Sequence, residues 1–374
     1  MTPRERMKKA MDLGMPDRVP VMCQLSIGHM LLQLGVSPVE FWHDGGVFTD
    51  GLIRLKEIYD FDGILVSLHG HNPDWRRTIR NREKTADGEI VTLESGQRMI
   101  YPTNDLPHPE SFSAAHVDLA TLQDADLPAA LNYIPVSQGL RFSIDPKTRF
   151  DIFRRIRQKT GLEFSLHGEV TSPFDYFLDF LGHEQGLVSL IEDPDKSKWM
   201  ISHFARLVSQ LASEMSDAGV DAIKISSPFA GASFISPEMY REFVIPCEAE
   251  IAKAAREKNV HVYLHTCGFI SDRLEHMFES GASGIECLDP PPLGNVDLEE
   301  AKRRVGGLGF IKGNIDSVNT LLTKDTGGIL ADARRSLEIG KRGGGFILST
   351  ACSVAPGVER SKLRLLREAA EMWG

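Results

Sequence analysis

The feature that most restricts this chain is a rhythm: short apolar runs alternate with helical stretches almost from end to end. The runs fall at 19–24, 63–68, 163–167, 221–226, 261–265, 284–288, 309–313 and 345–349. Near-continuous apolar runs of this length belong to parallel strands covered on both faces. Between them lie stretches of helical character, at 38–59, 146–160, 174–218, 238–258, 271–280, 298–304 and 317–340, with a last one at 359–373. Eight strands separated by helices is the count of a single α/β domain, a (β/α)8 TIM barrel spanning 1–374. A doubly wound open sheet is the competing arrangement.

The rhythm is lost once, from 72 to 145. Residues 89–93 and 98–101, around Ser95 and Gly96, carry the alternation and turn of a β-hairpin. The Pro-rich remainder reads as loop plus a short helix. This stretch has too few apolar residues for a core of its own, so it is expected as an insertion after the second strand, over one end of the barrel. At the start, Thr2, Pro3 and Glu5 form a capping-box signature for a helix that should stop at Gly14.

Composition narrows the function classes. The formal charge of −10 and the lack of any Lys/Arg-rich run argue against nucleic acid or an anionic membrane as partner. No apolar run approaches the roughly 18–20 residues that span a bilayer. The first residues lack the apolar centre of a signal peptide. Five Cys in 374 residues, an odd number without paired spacings, do not form a disulfide framework. A protein of the reducing cytoplasm is expected.

In such a barrel the chemistry sits at the C-terminal ends of the strands. Those ends carry Gln24 and Ser26, His69 and His71, His167 and Glu169, Ser226, His265 and Cys267, Asp289, Asn314, and Ser349 and Cys352. In HVYLHTCG (261–268), His265 and Cys267 stand two apart on an extended chain and so point the same way. Cys352, in GFILSTACSVAP (345–356), follows another strand. Two soft sulfurs and an imidazole from separate strand ends make a zinc set with one coordination position open, the mark of a catalytic site. A lone strand-end histidine is more often bonded to backbone; the two thiols tip the balance toward metal.

Asp289 is the first choice for a fourth ligand, although the Pro290-Pro291-Pro292 run also suits it to a turn; Glu286 is the second. Glu169 and Glu286 are the candidate catalytic acids, Glu169 being equally suited to a surface loop. Gln24, His69, His71, His167, Ser226 and Asn314 are candidate substrate contacts, with a solvated loop the competing reading for His69 and His71. Trp75, Phe174, Phe229 and Phe234 follow strand ends and read more readily as core beneath loops than as pocket walls. Cys23, Cys247 and Cys287 lie in apolar contexts and read as small buried hydrophobes.

Several stretches together carry a resemblance. They are PRERMKKAMDLGMPDRVPV (3–21), DAGVDAIKISSPFAGASFISPEMYREFVIP (217–246), GASGIECLD (281–289), GNID (313–316) and FILSTACSVAPGV (346–358). On these the chain resembles the uroporphyrinogen decarboxylase superfamily along nearly its whole length, and the resemblance implies a single (β/α)8 barrel. Decarboxylases of that superfamily have an Arg-rich segment after the first strand, an Asp ending the second and a His in the last strand's loop. Here those places read CQLSIGH (23–29), Leu68-His69 and Cys352. An octa-anionic porphyrin in a pocket without guanidiniums would leave carboxylates unpaired, at a cost of roughly several kcal/mol each.

The His-x-Cys…Cys pattern instead resembles the zinc methyltransferase branch, typified by methylcobalamin:coenzyme M methyltransferases. Cobalamin-independent methionine synthase is similar, with an acid between the second and third ligands at a spacing like that of Asp289. The resemblance implies that His265, Cys267 and Cys352 are zinc ligands, joined by Asp289. It implies a zinc-dependent methyltransferase acting between methylcobalamin, or another corrinoid, and a small thiol or a methoxy or methylated substrate activated on zinc. The chain has no Asp-x-His-x-x-Gly corrinoid-ligating motif, so the corrinoid is expected on a partner protein, with the 72–145 insertion in the docking surface. The alternatives are a decarboxylase-like carboxy-lyase and a non-catalytic corrinoid- or metal-binding protein.

Overall fold

A computed structural model describes residues 1–111, 117 and 119–374; residues 112–116 and 118 of the expected insertion lie outside the described residues. Among the described residues one curled parallel sheet carries seven strands: β1 Gly63–Val66, β2 Ser165–Thr171, β3 Ala222–Ser226, β4 His261–Thr266, β5 Gly284–Cys287, β6 Phe310–Ile315 and β7 Phe346–Thr350. Each pairs in parallel with the next in chain order.

The eighth place belongs to the segment 20–26. Val21 bridges Leu348, Leu25 bridges Val354, and Asp62 donates its N–H to the Val21 carbonyl at 2.9 Å. The segment thus ties β7 to the entry of β1 and closes a TIM barrel. The full strand expected at 19–24 is reduced to these bridges, since Pro20 has no N–H to give a ladder. Its position is set by Asp62, fully buried, whose carboxylate accepts from Val21 N at 2.8 Å, Arg6 at 2.7 Å and Arg18 at 2.8 Å.

Helices cover the outside. The stretch 38–59 is two helices, Pro38–His43 and Gly45–Tyr59, because the Asp44 carboxylate caps the second by accepting from Gly46 and Val47. The stretch 174–218 is three, Pro173–Leu181, His183–Glu192 and Pro194–Asp217, broken at Gly182 and Pro194 as the sequence indicates. The eight-residue helix Ile27–Leu34, capped by Ser26, is too short for periodicity to reveal. At the other end of the barrel, the expected capping box is formed: Thr2 Oγ1 accepts from Glu5 N, and Glu5 accepts from Thr2 N. The helix it starts, Pro3–Met11, buries Met7, Ala10 and Met11 against Ala222, Phe310 and Tyr263, plugging the barrel away from the strands' C-terminal ends.

The insertion holds more sheet than anticipated. Gly88–Leu93 and Arg98–Pro102 form the expected hairpin, but Ile79–Lys84 and His108–Pro109 extend it to four antiparallel strands. A second hairpin pairs Tyr133–Ser137 with Leu140–Ser143. The strand Ile79–Lys84 is missed because its sequence, IRNREK, is largely solvent-facing and carries no apolar alternation. Among the described residues no helix is long and apolar enough to cross a membrane.

Candidate active site

β4 ends in His265 and Thr266, and Gly268, at φ 75°, turns the chain away just past Cys267. His265 Nε2 lies 3.1 Å from Cys267 Sγ, which lies 3.6 Å from Cys352 Sγ in the loop after β7. A fourth donor joins them: the ligand atoms of His265, Cys267, Cys287 and Cys352 all lie within 4.8 Å of one another. A tetrahedral zinc with metal–sulfur bonds of about 2.3 Å separates its sulfurs by about 3.8 Å. One cation can therefore bridge this set.

Cys287 reaches the cluster by a break in the strand. Alternation would put Glu286 inside the barrel and Cys287 outside. Cys287 and Leu288 instead adopt φ of 87° and 58°, in the left-handed region that side chains seldom occupy. The turn brings the Cys287 thiol back toward the site, where it donates to Asp289 Oδ2 at 3.1 Å. Burial pushes the Cys287 thiol well above its ordinary pKa. Hydrogen bonding with Cys267, then Cys287 and His265, holds the Cys352 thiol well below its own.

Beneath the cluster lies a buried charge network. His265 Nδ1 is 3.0 Å from Glu286 Oε2, and Lys312 donates to the other Glu286 oxygen. Lys224 stands 3.6 Å from Glu286 and 3.2 Å from Glu169, and donates to Gln24 Oε1 at 2.5 Å. Burial pushes the Glu286 carboxyl up, but Lys312 and Lys224 overcome it and hold it well below the usual range. An ionised carboxylate only accepts, so Nδ1 carries hydrogen and Nε2 is the imidazole atom free to bind a cation. A cavity of about 400 Å³ opens above, with His265, Cys267, Cys352, Gln24, Glu169 and Ser226 in its wall.

Residues 121–373 match the uroporphyrinogen decarboxylase (URO-D) family. The chain belongs to that family. It is 25% identical over 260 residues, 70% of this chain and 68% of the other, to a methylcobamide:CoM methyltransferase (MtaA) of Methanosarcina barkeri. It is 22% identical over 379 residues, 99% of this chain and 98% of the other, to a methylcobamide:CoM methyltransferase (MtbA) of Methanosarcina mazei. Among solved structures, a methyltransferase from Methanosarcina mazei superposes with a TM-score of 0.76 at 19% identity, covering 100% of this chain and 99% of that one. That likeness establishes the shared barrel.

Within this URO-D barrel the sequence candidates divide. His265, Cys267 and Cys352 converge, and Gln24, Glu169 and Ser226 share their cavity. Glu286 supports the imidazole from below and stands outside the donor cluster. Asp289 lies outside the donor cluster: its Oδ2 accepts from Gly268 N at 2.7 Å and from Cys287, whose thiol is the fourth member. Cys287 is buried as expected, like Cys23 and Cys247, but unlike them its thiol lies in the donor cluster.

The remaining substrate candidates lie away from the cavity. His167 sits inside the barrel, bonded to Ser165 Oγ at 3.0 Å and Tyr263 Oη at 3.1 Å, and burial lowers its pKa to about 3. His69 is buried against Phe150 and Phe153, and His71 against Phe48 and Phe142, so neither is a solvated loop residue. Asn314 is turned to the Leu288 carbonyl at 3.2 Å. Phe174 is core; Phe229 lines the cavity; Phe234 is 46% exposed. Lys224 and Lys312 were not singled out from the sequence. The signal was there: a lysine at the centre of AIKIS or FIKGNI is a charge inside a barrel strand, which demands a buried partner.

Proposed function

We propose that this chain is a methyltransferase that moves a methyl group between a corrinoid and a small thiol, methoxy or methylated substrate held on zinc. The observation that carries the reading is the meeting of His265, Cys267 and Cys352, from two strand ends, in the wall of one cavity. The methylcobamide:CoM methyltransferases among its relatives support the reaction class. The donor set fits zinc, because thiolates and imidazole at tetrahedral spacing favour that ion over hard cations. A zinc ion bound there would act as a Lewis acid that keeps a substrate thiol deprotonated at neutral pH.

The chain's own residues supply the rest. Glu286 fixes the His265 tautomer, and Lys224 and Lys312 keep Glu286 ionised. Cys267 and Cys352 face the cavity, while Cys287 stands behind them, so the substrate side is the cavity side. Leu25, Ile134 and Phe229 give that side apolar walls that keep water from the reacting sulfur. With a thiol acceptor, the carbon–sulfur bond forms as the bond from methyl to its donor breaks. The bonding pair stays with the donor, so no general acid is needed.

Asp105, Leu106 and residues 134–138 of the insertion border the cavity. A corrinoid carried by a partner protein would dock against them. Five free cysteines suit a reducing compartment such as the cytoplasm. A porphyrin carboxy-lyase is disfavoured, because among the described residues no Lys or Arg lines the cavity.

The test is zinc content together with methyl transfer from free methylcobalamin to a panel of thiols. One zinc per chain, lost in His265→Ala, and formation of a methyl thioether are expected. A metal-free protein would end the reading. Zinc without any transfer would leave a metal-binding protein.

A further inference from the structure

We infer that the small substrate of this cavity carries no acidic group: its tail is neutral or positively charged, unlike the sulfonate of coenzyme M. The inference rests on the proposed zinc chemistry for what happens at the reacting end and concerns only the tail.

The charge around the cavity carries it. The described lining residues of fixed charge type are carboxylates, Asp105, Glu169, Asp175 and Asp179, and none is Lys or Arg. Asp175 and Asp179 stand one turn apart on the helix Pro173–Leu181 and border the same space, where burial raises the Asp175 pKa to about 7 and Asp179 is paired. His183 lines the cavity but burial lowers its pKa, and the two cations close by are both committed. Lys224 is wholly buried and shares its charge between Glu169 at 3.2 Å and Glu286 at 3.6 Å. Arg141 donates to Asp179 at 2.8 Å.

A divalent ion among the thiolates would not change the balance. Cys267 and Cys352 alone cancel its charge, and Cys287 as a third thiolate would leave the centre negative. A sulfonate remains ionised at every pH a folded protein tolerates, so it cannot escape by taking a proton. Its charge would enter this cavity without a charge-assisted donor and against at least one carboxylate. An alcohol, amine or quaternary tail meets no such cost. Ser26, Ser67 and Gln138 can bond it, and Phe229 offers an aromatic face for a cation.

Three thiols of similar size isolate the tail: 2-mercaptoethanesulfonate, 2-mercaptoethanol and 2-aminoethanethiol. They are titrated calorimetrically into the zinc-loaded full chain, and their S-methyl thioethers into the metal-free full chain. The sulfonate is expected to bind weaker than the other two by about tenfold or more in both series. A sulfonate that binds as tightly as the neutral compound, or tighter, overturns the inference. The two readings fail separately. Thiols that gain nothing from zinc, with the thioether order intact, would sink the metal chemistry and keep the tail rule; zinc-dependent binding led by the sulfonate would do the opposite.

Discussion

His265 and Glu286 are register partners on neighbouring parallel strands, and their side chains meet with 3.0 Å between Nδ1 and Oε2. The pairing places a carboxylate directly behind the candidate metal-binding imidazole. It follows from two inward positions on β4 and β5 that the barrel aligns.

Glu286→Gln keeps the shape and removes the charge. The His265 tautomer is then no longer imposed, and metal affinity should fall by roughly 10–100-fold. Competition with a chromophoric chelator measures this. An unchanged affinity would mean that the contact does not orient the ligand.

The cluster's fourth member makes a distinct prediction. His265→Ala, Cys267→Ser and Cys352→Ser should each lose the metal, since each removes a cavity-side donor. Cys287→Ser should retain it with one sulfur fewer. X-ray absorption at the zinc edge should count three sulfurs in the substrate-free parent chain and two in that variant, with a substrate thiol taking the Cys287 position when it binds. Two sulfurs in both would place Cys287 outside the coordination sphere.

Lys224 is fully buried between Glu169 and Glu286. Lys224→Met leaves buried carboxylates without their cation and should cost about 3–5 kcal/mol of stability. Adding Glu169→Gln should recover part of the loss. Urea unfolding of the two variants against the parent gives both numbers, and strict additivity would show that the pair is not coupled.

Glu248 lies on the helix Ile245–Arg256, fully buried, and accepts from Tyr240 Oη at 2.8 Å. Burial raises its pKa to about 8 from an ordinary value of 4.5. The folded chain therefore holds this proton more tightly than the unfolded one. The group's contribution to stability is complete below about pH 4.5 and is lost as pH rises through about 8, with a slope on the order of 1.4 kcal/mol per pH unit between. Gln mimics the protonated acid, so Glu248→Gln should match the parent near pH 5 and exceed it above pH 8. Thermal melts across that range would show parallel curves if the group were ionised in the fold.

Much of the site was legible before any coordinates. The fixed period of a strand puts His265 and Cys267 on one side, and the order of a parallel barrel brings the end of β7, with Cys352, to the same rim. The same logic found Gln24, Glu169 and Ser226. It does not separate out His69, His71, His167 and Asn314, which lie off the cavity, because position at a strand end does not say whether a side chain points into the cavity or beneath it. His167 is one inward step below Glu169 on β2, deep enough to be bonded within the barrel.

The sequence by itself determined the barrel, the imidazole and two of the thiols, since these depend on local periodicity and strand order, both written in the residues. Only the tertiary structure brought the Cys287 thiol into the cluster and set Lys224 and Lys312 beneath it. The left-handed turn at Cys287 and Leu288 violates the alternation from which a strand's facing is read. Buried charges declare their partners only when distant strands are brought side by side.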